Sequence, residues 1–321
     1  VCTQPGEPFA QERFNAVRNS KTNGVDVYWL HRELPQDPET EGFWLMWYKI
    51  MTEHGFAPGD IFVSSEPYGA KLAEVCDGVF MPYDIDRELT PCTHTWGEPG
   101  IVKATNIRED MFTHFDEIMP EFQRHLRTTV TIFGAESTGK TTLSKELAAS
   151  INGHWLYEWA RPYLEAVGPE ITVDSMNAIW RGQRAAQDHT DNRWSAGWLD
   201  KPFLVQDTDL FSTVGYWEQP HWTSDLGEVP IELVKDAVER KSDLYIITKS
   251  NIPFEPDTIR YGVDHRESPD EYWVGIAEKY GLNYVVLDQT GQVERLSWAM
   301  KYARLAAQKK AESIAYDRKG F

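Results

Sequence analysis

TVTIFGAESTGKTT, residues 129–142, decides how the rest of the chain is read. Its first five residues are β-branched or aromatic and run directly into Gly134. Four residues later Gly139-Lys140-Thr141 leads into a helical stretch, Leu143 to Ser150. Buried strand, loop and helix in that order are the context in which G-x-x-x-x-G-K-[ST] holds phosphates. Gly134 and Gly139 let the backbone curl so that successive N–H groups point inward. The positive end of the following helix completes an anion cup. Gly134, Ala135, Glu136, Ser137, Thr138 and Gly139 form the expected ATP-binding loop, and Lys140, Thr141 and Thr142 open its helix. Lys140 is placed to reach the β- and γ-phosphates, and the Thr141 hydroxyl to bind Mg²⁺.

Downstream, apolar runs alternate with helical periodicity. His154–Trp159 reads as a strand with Glu158 near its end, followed by Arg161, and Val173–Thr190 as a long helix. Phe203–Gln206 is an apolar strand running into Asp207-Thr208-Asp209. Helices are expected over Ile231–Arg240, Glu271–Tyr280 and Val293–Lys310, and strands over Leu244–Thr248 and Tyr284–Leu287. Five strands with interleaved helices make a small doubly wound α/β domain. Asp207, at a strand end, suits a Mg²⁺-linked carboxylate held through water. Glu158 or Asp209 is placed to orient an acceptor hydroxyl, and Arg161 to hold phosphate. The polar segment 251–270 carries Arg260 and Arg266, in the position where small-molecule kinases have a closing lid. Such arginines neutralise charge on a transferring phosphoryl group. Residues 128–321 leave no room for the coupling elements of a motor or switch.

Upstream, Val25–Leu30, Asp60–Ser64 and Gly78–Pro82 read as strands. Phe43–His54 and Ala70–Val75 read as helices, and Asp110–Arg127 as a helical bridge containing Pro120. Strand, helix, strand in quick succession indicates a parallel sheet. The expected domains are 1–127 and 128–321.

The formal net charge of −18 and a pI of about 4.9 repel polyanions, so no DNA partner is expected. Three cysteines, Cys2, Cys76 and Cys92, form no C-x-x-C pair, which fits a reducing, cytoplasmic setting rather than a disulfide framework or zinc ribbon. No apolar run is long enough for a membrane partner to be expected. A homo-oligomer is left open. Most of the 13 tryptophans are expected in cores.

Taken together, GAESTGKTT (134–142), YEWAR (157–161), QDTD (206–209) and DTIR (257–260) with Arg266 resemble the ribosylnicotinamide kinase domain of the NadR family. The resemblance implies ATP-dependent phosphorylation of the ribose 5′-hydroxyl of nicotinamide riboside. Residues 1–127 resemble the later half of that family's nicotinamide-mononucleotide adenylyltransferase domain, a Rossmann-like nucleotidyltransferase. SEPYG (65–69) carries this likeness, together with VKATNIR (102–108) in place of the usual I-S-x-T-x-I-R. Thr105, Ile107 and Arg108 carry over, Thr105 and Arg108 as its phosphate site. The family's G-x-F-x-P-x-H-x-G-H segment has no counterpart, which implies a fragment or a front domain without its chemistry. The expected fold is therefore α/β: a partial Rossmann-like nucleotidyltransferase domain, then a P-loop NTPase domain of the small-molecule kinase type with a parallel sheet. Two other readings stay open: a kinase of another nucleoside, and an ATP- or NAD-sensing regulator without turnover.

Overall fold

The computed structural model describes residues 1–3, 5–7, 9–20, 23–35, 37–85, 91–92, 100–101, 107, 110–219, 225–253 and 269–314. These separate into two compact units, Val1–Phe122 with Ile314, and Gln123–Ser313. Among the described residues no helix is long and apolar enough to cross a membrane.

The first unit opens with β1 (Cys2–Thr3), α1 (Ala10–Ser20) and β2 (Leu30–His31), the two strands pairing in parallel. Only Leu30 of the expected strand Val25–Leu30 finds a partner. Val25 and Tyr28 stay exposed, because a strand exists only where its backbone groups meet another strand. After α2 (Phe43–Glu53) comes a parallel βαβ unit of β3 (Ile61–Ser64), α3 (Tyr68–Val75) and β4 (Val79–Pro82). Gly69 lets α3 lie close to this sheet: a Cβ there would sit 2.7 Å from Ser64 Cβ and 2.8 Å from the Phe80 ring. A short antiparallel pair, β5 (Pro91–Cys92) and β6 (Gly100–Ile101), follows. The expected helix Asp110–Arg127 is instead a 3₁₀ turn, Phe115–Glu117, and then α4 (Pro120–Leu126). The reason is Pro120: its ring and missing N–H exclude it from a helix interior but suit the first helical position, so the helix begins there.

The second unit is a five-stranded parallel sheet. Its strands are β7 (Thr128–Gly134), β8 (Gly153–Leu156), β9 (Phe203–Asp207), β10 (Leu244–Thr248) and β11 (Tyr284–Leu287), in the spatial order β11-β10-β7-β9-β8. Between them run α5 (Lys140–Ser150), α6 (Ala160–Val167), α7 (Val173–Ser195), α8 (Leu210–Glu218), α9 (Ile231–Glu239) and α10 (Asp270–Lys279), and α11 (Gln292–Ile314) closes the chain of elements. β7, β9 and β10 are buried almost throughout, as parallel strands covered on both faces are. Side chains of one parity share a face. Thus Phe133, Tyr245 and Ile247 meet Met176, Leu210, Phe211 and Trp273 in one continuous core. Among the described tryptophans, Trp194, Trp217 and Trp273 are fully buried, whereas the others are half-buried and Trp198 is exposed, so fewer lie in cores than expected.

Strand order reverses at β7, so the chain leaves it toward opposite sides, and ligands of such sheets bind at that point beyond the carboxyl ends. Register sets what gathers there. Ile132 pairs with Asp207 and Gly134 with Thr248, which brings the ends of β9 and β10 level with the loop after β7.

Beneath that edge a polar chain crosses the sheet. Gln187 Nε2 donates to Gln206 Oε1 at 2.7 Å, and Gln206 Nε2 donates to Ser242 Oγ at 3.0 Å and Thr131 Oγ1 at 3.2 Å. Replacing Gln206 with leucine leaves the buried Gln187 amide without its acceptor. An unfolding free energy lower by about 2 kcal/mol is expected in urea denaturation, against near-neutral behaviour for an exposed glutamine.

Candidate active site

Local backbone shape builds the loop first. Gly134 stands at φ +129°, Ser137 at +55° and Gly139 at +75°, so the chain turns repeatedly between β7 and α5. Gly139 is the N-cap of α5 and no side chain caps it, which leaves the helix start to an anion. Lys140 Nζ donates to the Ala135 carbonyl at 2.6 Å, spanning the loop. The buried Thr138 hydroxyl donates to the Ala135 carbonyl at 2.8 Å and lies 2.7 Å from Thr248 Oγ1. From α11, Arg295 Nη2 donates to the Thr138 carbonyl at 2.6 Å. Arg295 is itself buried, which pulls its pKa down, and its Nη1 has no partner among the described residues.

Gly134 tolerates no side chain. A Cβ would lie 2.7 Å from the Thr248 carbonyl oxygen, in a backbone conformation that L-residues rarely adopt. Gly134→Ala is expected to cost about 3 kcal/mol of stability and to displace the loop. Thermal denaturation and nucleotide titration would read both effects together.

Asp207 ends β9, is 2 % exposed, and has Oδ1 without a partner among the described residues. Burial pushes its carboxyl pKa up. A hydrogen bond from Thr141 and the charges of Lys140, Arg161 and Lys145 oppose that rise. A hydroxyl and a buried carboxylate that retains an unpartnered oxygen form the hard-oxygen pair that suits Mg²⁺, which takes few protein ligands and fills its shell with phosphate and water. No cluster of three or more His, Cys, Asp or Glu that could hold a metal ion occurs among the described residues.

Thr208 follows at φ +64°, turning the chain so that Asp209 caps α8. Asp209 Oδ1 accepts from the Phe211 N–H at 3.0 Å and Oδ2 from the Tyr245 hydroxyl at 2.7 Å. Burial raises its pKa to about 6, against the pull of the Tyr245 hydroxyl and the N–H groups of Phe211 and Ser212. Glu158 lies just beyond β8, which ends at Leu156 rather than running to Trp159. The Trp159 N–H turns away from the ladder to the side chain of Gln183 at 2.8 Å. The Trp159 indole fills the space over Gly182, where a Cβ would fall 1.9 Å from Nε1. Arg161 stands in the first turn of α6.

One cavity of about 920 Å³ joins these groups. Loop residues Glu136 to Thr142 line it, with Glu158, Arg161 and Asp209, and so does an apolar wall of Leu164, Met176, Ile179 and Tyr216. Asp207 adjoins through Thr141. Arg260 and Arg266, like Thr105 and Arg108 of the first unit, lie outside the described residues. Residue-by-residue reading missed Arg295, Thr138's partner Thr248, and Gln183. Each is far from the loop in sequence and carries no local motif.

A parallel sheet in this order with this loop at its switch point defines a P-loop nucleotide-binding protein. A protein family described as AAA domain matches residues 129–295, and the chain belongs to it. Two curated proteins carry the likeness further. The chain is 26 % identical over 249 residues to the trifunctional NAD biosynthesis/regulator protein NadR of Escherichia coli (strain K12), covering 75 % of this chain and 55 % of that one. It is 25 % identical over 216 residues to the Salmonella typhimurium protein of the same name, covering 66 % and 47 %. The chain therefore spans about half the length of these relatives. In fold it matches a crystal structure of NadR protein in complex with NR, with a TM-score of 0.64 and 23 % identity over 96 % of this chain and 87 % of that one. A crystal structure of NadR protein in complex with NAD and AMP-PNP matches with the same TM-score and coverage at 24 % identity.

Proposed function

We propose that the second unit transfers the γ-phosphoryl group of ATP to the 5′-hydroxyl of nicotinamide riboside, giving nicotinamide mononucleotide. The observation that carries this reading is the single cavity, which unites a phosphate loop with a carboxylate, an arginine and an apolar wall suited to a flat ring. The likeness to the two curated NAD biosynthesis proteins supports the choice of acceptor.

In this mechanism the loop N–H groups and Lys140 hold the triphosphate and draw charge off it. Thr141 and Asp207 hold Mg²⁺, which when bound neutralises the phosphate oxygens. Glu158 takes up the proton of the attacking hydroxyl, and Arg161 steadies the phosphate. With both oxygens engaged, Asp209 serves as a fixed cap that sets the turn after Asp207. Arg260 and Arg266 close over the transferring group. The first 127 residues are assigned as the nucleotidyltransferase-like domain, with Thr105 and Arg108 as its phosphate site.

Incubation with ATP, Mg²⁺ and nicotinamide riboside, followed by mass spectrometry, tests the reading. Gain of one phosphoryl group by the nucleoside supports it. A dinucleotide product would add activity of the first unit. Tight ATP binding with no product from any nucleoside would point instead to a nucleotide sensor.

A further inference from the structure

Gln183, on α7, is 3 % exposed and lines the cavity. Its Oε1 accepts the Trp159 backbone N–H at 2.8 Å. A donor at that end fixes which way the amide points, since the NH₂ cannot accept it. Nε2 is thereby the other end, and it has no partner among the described residues. A second orphan stands on α8, which packs against α7. Ser212 is 5 % exposed, also lines the cavity, and its Oγ has no partner among the described residues. Buried polar side chains in folded proteins usually find partners, and these two orphans belong to residues that line one cavity together with Met176, Ile179 and Tyr216.

We infer that Gln183 determines acceptor specificity by donating from Nε2 to the carbonyl oxygen of an amide carried on the acceptor's flat ring, with Ser212 Oγ taking the amide's NH₂. This rests on the proposed function and names how its acceptor is chosen. The apolar wall receives the ring faces, which any heterocycle has, and the paired donor and acceptor supply what discriminates among them. Trp159 acts behind Gln183 as a positioning residue, its N–H holding the amide in orientation.

The test varies the substrate before the protein. Nicotinamide riboside and the pyridinium riboside that lacks the carboxamide are compared on the unaltered chain, with kcat and KM for each and KM for ATP. A preference of about 30-fold in kcat/KM for nicotinamide riboside is expected, mostly in KM. Gln183→Glu keeps an oxygen for the Trp159 N–H but turns a carboxylate oxygen toward the carbonyl. Gln183→Leu removes the donor altogether. In both variants the preference should collapse to within about threefold; pyridinium riboside turnover and KM for ATP should be unchanged in Gln183→Glu, while in Gln183→Leu any loss from the freed Trp159 N–H falls on both ribosides alike. Equal turnover of both ribosides by the unaltered chain would overturn the inference. So would variants that lose activity on both ribosides in proportion, the mark of a purely structural residue. Phosphorylation of neither riboside by the unaltered chain removes the proposed function itself, and this inference with it.

Discussion

Lys140→Met should lower the turnover of nicotinamide riboside by about 10³-fold or more while leaving the protein folded. Phosphoryl transfer leaves little covalent work to the protein, so the rate depends on positioning and on charge placed against the triphosphate. Removing one preorganised donor from such a site costs about 10²–10³-fold, and Lys140 is both a donor and a full charge. Methionine keeps the apolar stem and approximate length. The Nζ bond to the Ala135 carbonyl is lost, but that carbonyl keeps the Thr138 hydroxyl at 2.8 Å, so the loop retains an internal tie. The cost in stability is therefore expected below about 1 kcal/mol. Steady-state kinetics with a thermal melt separates the two effects, and turnover within tenfold of the unaltered chain would remove Lys140 from the mechanism.

Glu158→Gln is the second large effect. If Glu158 receives the hydroxyl proton, the amide should lower kcat by about 10²–10³-fold, with KM for ATP unchanged. The control is Asp209→Asn. Asp209 spends one oxygen on the Phe211 N–H and the other on the Tyr245 hydroxyl. Asparagine keeps the capping oxygen, and its NH₂ can donate to a hydroxyl that now accepts. A modest loss of stability, about 1 kcal/mol, and a small change in kcat are expected. The reverse pattern, with Asp209→Asn inactive and Glu158→Gln active, would exchange the two assignments.

These predictions differ in how far the sequence alone could reach them. Lys140, Thr141 and the two loop glycines were legible because their geometry is local: φ values and a helix start are fixed within a few residues. The strands β7, β9 and β10 were legible for a similar reason, since a strand buried on both faces is rich in β-branched and other apolar residues over a short run. The end of β8 was not. It depends on whether the Trp159 N–H joins a ladder or meets Gln183, twenty-four positions along the chain. The bonding of Asp209 was equally hidden. As a residue after a strand it read as a site carboxylate, and only the approach of Tyr245 from β10 shows both its oxygens engaged.

That a phosphate loop follows a buried strand in an α/β chain could be read from the residues, because backbone freedom at glycine and the two side-chain periods act over a few positions. The tertiary structure alone decided what surrounds that loop. Arg295 reaches the Thr138 carbonyl across a separation of 157 residues, and Gln183 and Ser212, each with a buried unpartnered atom, come to line one cavity. Such meetings are set by strand order and helix packing, which couple distant segments through burial and leave no mark in any short window of sequence.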